Sequence, residues 1–71
     1  MVKANKGVAY LIDQAKRQNP GDIEQCLLEA IGEAGGDAAM DYLVTEAKRT
    51  NPDWKKIVLI RAIGRASRHN G

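Results

Sequence analysis

Two groups of charged residues with opposite signs are the part of this chain best suited to chemistry. Residues 22–34 contain four acidic side chains and no basic one, whereas residues 54–68 contain five basic side chains and no acidic one. Carboxylates pair with guanidinium and ammonium groups, and arginine also binds phosphate through two parallel hydrogen bonds. The chemistry that these residue types predict is therefore ionic recognition.

At 100° per residue, the three arginines of the basic segment share one helical stripe with two large apolar residues. This stripe consists of Trp54, Ile57, Arg61, Arg65 and Arg68. The matching stripe 32 positions earlier consists of Asp22, Gln25, Glu29 and Glu33. Tryptophan and arginine side by side are typical of the energetic centre of a protein interface. We therefore take the following as candidate partner-binding residues: Trp54, Ile57, Arg61, Arg65, Arg68, Glu29 and Glu33.

A purely structural interpretation of these charges is equally open. Glu29 could pair with Arg61 and Glu33 with Arg65 on a solvated face, each pair contributing at most about 1 kcal/mol. Trp54 could simply pack over the start of its own helix. Another functional class is also open, namely nucleic-acid binding by the basic segment, with the arginines and Lys55 or Lys56 on phosphates. The acidic segment next to it would repel a phosphate backbone, which places this alternative second.

No residue pattern supports catalysis, a cofactor or a metal ion. The only histidine, His69, lies next to the carboxyl end, and no set of nucleophile, base and orienting residue can be assembled from the spacing. The glycines match neither a phosphate-binding loop nor a dinucleotide-binding fingerprint. The single cysteine, Cys26, excludes an internal disulfide and lies in an apolar run, which predicts a reduced, buried thiol.

Composition places the chain among small globular proteins. It has 71 residues, a net charge of +2, 44% hydrophobic residues and 28% charged residues. A chain of this length forms one domain whose core is only marginally sufficient alone. The first eight residues lack the apolar segment of a secretion signal, and no apolar run approaches membrane-spanning length. We therefore expect a cytoplasmic protein that does not enter a membrane.

An internal duplication supplies the elements that position the charged residues. Residues 9–36 and 41–68 align without gaps, and 12 of the 28 aligned pairs are identical. Such self-similarity is the signature of a repeat architecture. We expect a single domain over residues 1–71, with one repeat at about 5–36, a second at about 37–68, and short flexible ends at 1–4 and 69–71.

Each repeat reads as two helices, so the chain is expected to be all-α. Asn19-Pro20 and Asn51-Pro52 are predicted helix starts, in which the asparagine side chain accepts a backbone N–H and proline occupies the first helical position. Gly35-Gly36 is expected to end the second helix, and Asp37 to cap the third. The predicted helices span about 5–18, 20–34, 37–50 and 52–68.

Helical periodicity also predicts which faces are buried. In the second helix the expected core stripe is Ile23, Leu27, Ala30, Ile31 and Ala34. In the fourth helix it is Val58, Leu59, Ala62, Ile63 and Ala66. Leu28 and Ile60 point away from these stripes and are expected at an exposed end. Gly32 and Gly64 recur at matched positions inside helices, which predicts close approach of neighbouring helices.

The chain resembles the HEAT-like repeats of the phycobilisome-lyase type. The resemblance is carried by the run from Glu29 to Asp37, by Tyr42-Leu43-Val44 with Ala47, and by the second unit from Asn51-Pro52-Asp53 to Arg61-Ala62-Ile63-Gly64. It covers about residues 9–68. It departs from the family pattern at Ala34 and at the end of the second unit. The resemblance implies two helical hairpins forming a short four-helix α-solenoid, and it does not imply lyase activity.

These observations predict a small non-catalytic module for protein–protein interaction. It would bind a protein partner, or another copy of itself, through a concave surface formed by the second and fourth helices. No cofactor is expected, and nucleic-acid binding through the fourth helix is the alternative.

Overall fold

The computed structural model describes the backbone of residues 3–70 and the side chains of residues 7–68. This part of the chain contains four helices and no strand, which confirms the predicted all-α class. The helices are α1 (Lys3–Ala15), α2 (Gly21–Ala34), α3 (Gly36–Ala47) and α4 (Asp53–Asn70). Residues 1, 2 and 71 of the expected flexible ends lie outside the described residues, whereas residues 3, 4, 69 and 70 belong to helices.

The turn between α1 and α2 is closed by an asparagine, although not in the predicted way. Asn19 donates hydrogen bonds from Nδ2 to the carbonyl oxygens of Gln14, at 2.8 Å, and Arg17, at 3.0 Å. The N-cap of α2 is Pro20, and no side chain caps this helix. The prediction that Asn19 accepts a backbone N–H of the next helix was therefore wrong. Instead, the amide group donates to carbonyl groups at the end of α1, which comes three residues earlier than predicted; the carbonyl of Gln14 also accepts the N–H of Arg17.

The turn between α2 and α3 requires glycine because two successive residues in it have positive φ angles. Gly35 has φ of 68° and Gly36 has φ of 90°, in the region that residues with a Cβ rarely adopt. Gly35 donates its N–H to the carbonyl of Ile31 at 3.1 Å and so ends α2 as predicted. Because α3 already begins at Gly36, Asp37 lies in the first turn rather than at the cap position, which corrects the prediction.

The second and fourth helices pack side by side and run parallel. Lys55 Nζ of α4 lies 2.8 Å from Glu24 Oε2 near the beginning of α2, and Arg65 pairs with Glu33 near the end of both helices. The helices α1 and α3 lie on the other side, each packed on the following helix of its own repeat, and the described parts of α1 and α4 make no contact. The radius of gyration is 11.2 Å, close to the ~11 Å expected for a compact chain of this length.

The core is aliphatic and draws on every helix. Its largest fully buried side chains are Leu28, Ile31, Leu43 and Leu59. The predicted stripe of α4 is confirmed, since Val58, Leu59, Ala62 and Ala66 are buried and Ile63 is partly buried.

The predicted stripe of α2 is confirmed only in part. Only Ile31 of that stripe is fully buried, whereas Ile23 and Ala34 are exposed and Leu27 and Ala30 are partly buried. Leu28, expected to point outward, has no exposed surface, while its counterpart Ile60 is 71% exposed as expected. The cause is that α4 packs on the side of α2 that carries Leu28, whereas the equivalent side of α4, which carries Ile60, faces solvent.

The same geometry corrects the prediction for the cysteine. Cys26 is exposed, whereas Val58, the residue at the matched position of the second repeat, is only 3% exposed. Both lie on the side that a preceding repeat would cover. Val58 has such a neighbour, α2, whereas Cys26 has none among the described residues.

The close helix approach predicted from the paired glycines is confirmed for one of them. A Cβ added at Gly32 would lie 2.7 Å from the backbone oxygen and 2.8 Å from the Cα of Ala62. The axes of α2 and α4 can therefore come this close only because residue 32 has no side chain. A Cβ added at Gly64 would meet nothing within 4 Å, because the corresponding side of α4 is open.

Candidate functional site

The predicted charged stripes of α2 and α4 lie next to each other, because the two helices are parallel and in register. Glu33 and Arg65, which occupy matched positions in the two repeats, form an exposed ion pair. The predicted bridge between the repeats is therefore present at this position. It occupies one of the arginines that the sequence offered for partner binding.

The second predicted pair, Glu29 with Arg61, does not form. Within the described side chains neither residue makes a salt bridge or a hydrogen bond, and both are exposed. Together with Ala62 and Arg65 they line a small groove of about 100 Å³ between α2 and α4. The groove thus presents one guanidinium and one carboxylate whose hydrogen-bonding capacity is open to a ligand or to water.

Two large apolar side chains lie on the same stripe of α4, one and two helical turns before Arg61. Ile57 is 52% exposed and Trp54 is 38% exposed. The indole of Trp54 covers the beginning of α2, since its Cζ2 would lie 3.8 Å from a Cβ at Gly21. Trp54 therefore contributes to packing between the repeats, against the start of α2 rather than over the start of its own helix, while part of its ring stays accessible.

The remaining predicted residue, Arg68, is exposed one turn beyond Arg65. The structure thus brings all seven candidate residues to one surface. We call this surface the α2–α4 stripe, and it consists of Glu29, Glu33, Trp54, Ile57, Arg61, Arg65 and Arg68.

A partly buried ionic network next to the stripe was not predicted from the sequence. Lys55 lies between two carboxylates, 2.8 Å from Glu24 of α2 and 3.5 Å from Glu46 of α3, and its side chain is mostly buried. Glu46 also accepts a hydrogen bond from Arg49 at 3.2 Å. Because Glu46 and Lys55 flank the α3–α4 turn, their pairing could have been predicted from the sequence. The approach of Glu24 could not, because it depends on how α2 packs against α4.

Tyr42 lies beside this network and is partly buried. Burial, and after it the nearby carboxylates of Glu46 and Glu24, raise the pKa of its phenol to about 12, against an opposing effect of Arg49. Both effects disfavour the phenolate. Tyr42 is therefore a neutral structural residue at ordinary pH.

Two further depressions occur on the surface. A groove of about 180 Å³ with mainly apolar walls opens at the outer side of the second repeat, lined by Ala47, Lys56, Leu59 and Ile60. A wider, mixed-charge depression of about 460 Å³ lies over α1 and α3, between Ile12, Lys16, Asp41, Tyr42 and Arg49 among others. Neither contains a nucleophile held by a base.

The described side chains contain no cluster of three or more histidine, cysteine, aspartate or glutamate residues suited to a metal ion. Among the helices between residues 3 and 70, none combines the length and apolar character needed to span a membrane. No family model, curated protein or solved structure matches this chain.

Proposed function

We propose that this protein is a non-catalytic protein–protein interaction module of two HEAT-like hairpins, and that it binds through the α2–α4 stripe. The observation that carries this proposal is the exposure of Ile57 and Trp54 on the same helical stripe as Arg61, a guanidinium without a partner among the described residues. Large apolar groups beside an available arginine favour association with another protein over a solvated face.

The charges and apolar groups of the stripe also indicate what kind of segment it would bind. Arg61 and Arg68 offer hydrogen-bond donors for carboxylates, while Ile57 and the free part of Trp54 offer an apolar contact. We propose as the ligand an acidic protein segment, extended or helical, that carries a large apolar side chain next to its carboxylates. The cytoplasm remains the proposed location, consistent with a single free cysteine.

Nucleic-acid binding remains second because two of the five basic side chains of α4 already have acidic partners. Lys55 is held between Glu24 and Glu46, and Arg65 is held by Glu33. Contact with phosphates would have to compete with these carboxylates and with Glu29.

The proposal can be tested by selecting peptides from a random display library on the immobilised protein. We expect enrichment of acidic peptides with a large apolar residue, and weaker binding at higher salt. Arg61→Glu and Trp54→Ala should each weaken binding at least tenfold, the effect of losing a central interface residue. Lys48→Glu is the matched control, because Lys48 is exposed, carries the same charge and lies outside the stripe.

Selection of no peptide, or equal losses for Arg61→Glu and Lys48→Glu, would refute binding at the stripe. A mobility shift with mixed DNA and RNA at ~50 mM salt tests the alternative class. A shift that Arg61→Glu removes, without peptide selection, would replace the proposed function by nucleic-acid binding.

A further inference from the structure

We propose that copies of this chain stack head to tail, with the second repeat of one copy packed on the first repeat of the next. The junction between copies would reproduce the junction between the two repeats of one chain. This inference rests on the proposed function in treating the chain as an interaction module. It uses a different surface, namely the two ends of the repeat pair rather than the α2–α4 stripe.

The outer side of the second repeat, which we call the leading face, repeats residues that are buried in the first repeat. Each of three positions is buried in repeat one and exposed in repeat two, with the residue type kept or nearly kept. The pairs are Ala15 and Ala47, Leu28 and Ile60, and Gly32 and Gly64. Because α4 covers α2 on this side, the structure shows that a helix of the same sequence type packs on the equivalent face of the first repeat.

The outer side of the first repeat, which we call the trailing face, shows the reverse relation. Its residues are more exposed than their counterparts in the second repeat, which are covered by repeat one. The pairs are Cys26 and Val58, Leu27 and Leu59, Ala30 and Ala62, Ala34 and Ala66, and Tyr10 and Tyr42. The trailing face therefore carries small and apolar residues where α4 carries those that contact α2.

The glycines make the fit specific. Inside the chain, the backbone of Ala62 lies against Gly32, where a Cβ would come within 2.7 Å. In the proposed junction, Gly64 of one copy takes the place of Gly32, and Ala30 of the next copy takes the place of Ala62. Gly64 now has open space around it, so its own chain gives no packing reason for the absence of a side chain.

The charges also suit a continuous stack. Glu33 pairs with Arg65 inside the chain, and matched positions carry opposite signs at 29 and 61 as well. In a stack these positions follow one another as acidic, basic, acidic and basic along neighbouring parallel helices. Every junction then places opposite charges beside each other, whether it lies within one copy or between two.

One corner of the proposed junction differs from the internal one. The internal ion pair of Glu24 with Lys55 is replaced by Lys56 of one copy next to Ile23 of the other. This corner has no charge partner for Lys56, so the junction between copies lacks one ion pair. The difference supplies a gain-of-function test, because Ile23→Glu would restore the pair.

The first experiment measures the average molar mass of the full chain as a function of concentration, from ~10 μM to ~1 mM. The upper limit matches the effective concentration that a short linker gives the two repeats inside one chain. We expect the mass to rise steadily past that of a dimer, because a heterologous contact does not close after two copies unless it forms a ring. A mass that stays monomeric, or that levels off at a dimer, would overturn the proposal.

Variants of the leading face distinguish this junction from nonspecific association. Gly64→Ala adds one methyl group to an open position, so the monomer should stay folded, yet association should weaken at least tenfold. Ile60→Glu should have the same effect and is safe for folding because Ile60 is 71% exposed. If both variants follow the same mass curve as the parent, the leading face is not in the contact and the proposal fails.

Mixing experiments establish the direction of the contact. Gly64→Ala blocks the leading face only, and Cys26→Arg blocks the trailing face only by placing a charge in the junction. Each variant alone should remain monomeric, and an equimolar mixture should form dimers and nothing larger. A mixture that remains monomeric would exclude head-to-tail contact.

Ile23→Glu should strengthen association of the otherwise unchanged chain about fivefold, the effect of one added ion pair. An unchanged dependence of the mass on concentration would contradict the proposed register.

The outcomes for stacking and for the proposed function can be told apart. If the chain stays monomeric while peptide binding remains sensitive to Arg61→Glu, the stack is wrong and the stripe stands. If the mass rises and Gly64→Ala abolishes the rise while no peptide is selected, the stack stands and binding at the stripe is wrong.

Discussion

Asn51 shows how one residue type can serve either end of a helix. Its Nδ2 donates to the carbonyl oxygens of Glu46, at 2.8 Å, and Arg49, at 2.9 Å, as Asn19 does at the matched place in the first repeat. The Asn-Pro pair predicts a helix boundary in either arrangement. Whether the side chain accepts from the next helix or donates to the preceding one depends on the backbone path of the turn.

Asn51→Asp distinguishes these two roles. An aspartate would serve well as an acceptor at a helix start, but it cannot donate, and its charge would face two carbonyl oxygens. We expect a loss of about 1–3 kcal/mol in the free energy of unfolding, measured with denaturant. Asn19→Asp should behave in the same way. Variants as stable as the parent would show that the asparagines act as acceptors in solution.

Tyr42 allows a prediction about pH. Its pKa is about 12 in the folded protein and 10.0 for an unperturbed tyrosine, so between these values the folded state holds the proton that the unfolded state has lost. Stability should therefore be complete below pH 10.0 and should decline as the pH rises towards about 12. In the Tyr10→Phe variant, ultraviolet absorbance of the phenolate should report a midpoint near the upper value. A midpoint near that of free tyrosine, in the folded protein, would contradict the burial of this phenol.

At the scale of the helices, the paired glycines are a matched test of packing. Gly32→Ala should lower the free energy of unfolding by about 1–2 kcal/mol, because α4 must move away from α2 and this outweighs the gain in helix propensity. Gly64→Ala should raise it by up to about 1 kcal/mol, since its Cβ meets nothing. Thermal unfolding at low concentration, where copies are separate, measures both. Equal effects of the two substitutions would mean that α2 and α4 are not packed as described.

The presence of the four helices could be predicted from the sequence, but which face of α2 is most deeply buried could not. Leu27 and Leu28 are both apolar, and periodicity chose the stripe that contains Leu27. Leu28 is fully buried and Leu27 only partly, because among the described residues α2 has a neighbour on the side of Leu28 and none on the opposite side. In α4 the neighbour lies on that opposite side, which is why the same reasoning correctly placed Leu59 and Ala62.

For the molecule as a whole, Lys55 connects three helices through Glu24 and Glu46. Lys55→Ala leaves two mostly buried carboxylates without their shared cation, and we expect a loss of about 1–3 kcal/mol in unfolding free energy. Lys56→Ala is the control. Lys56 is exposed and makes no described ion pair, so its loss should be within about 0.5 kcal/mol. Similar melting of the two variants would show that the network adds little to the stability of the fold.

The sequence by itself determined the four helices, their boundaries to within about three residues, and the presence of opposite charges at matched positions. These properties are local or repeat along the chain: Gly35 and Gly36 permit positive torsions, the Asn-Pro pairs interrupt helices, and apolar residues recur with the helical period. Sequence reasoning also brought the seven stripe residues together, because two parallel helices with a 32-residue offset place matched residues side by side.

Only the tertiary structure decided which charges pair and which apolar faces are covered. Glu33 reaches Arg65 while Glu29 and Arg61 stay apart, and Lys55 turns to Glu24 and Glu46 instead of to solvent. A duplicated sequence specifies the same two faces twice, but a finite stack of two repeats can cover each face only once. The physical reason for the difference between the repeats is therefore their place in the stack, which leaves Ile60 and Gly64 open at one end and Cys26 at the other.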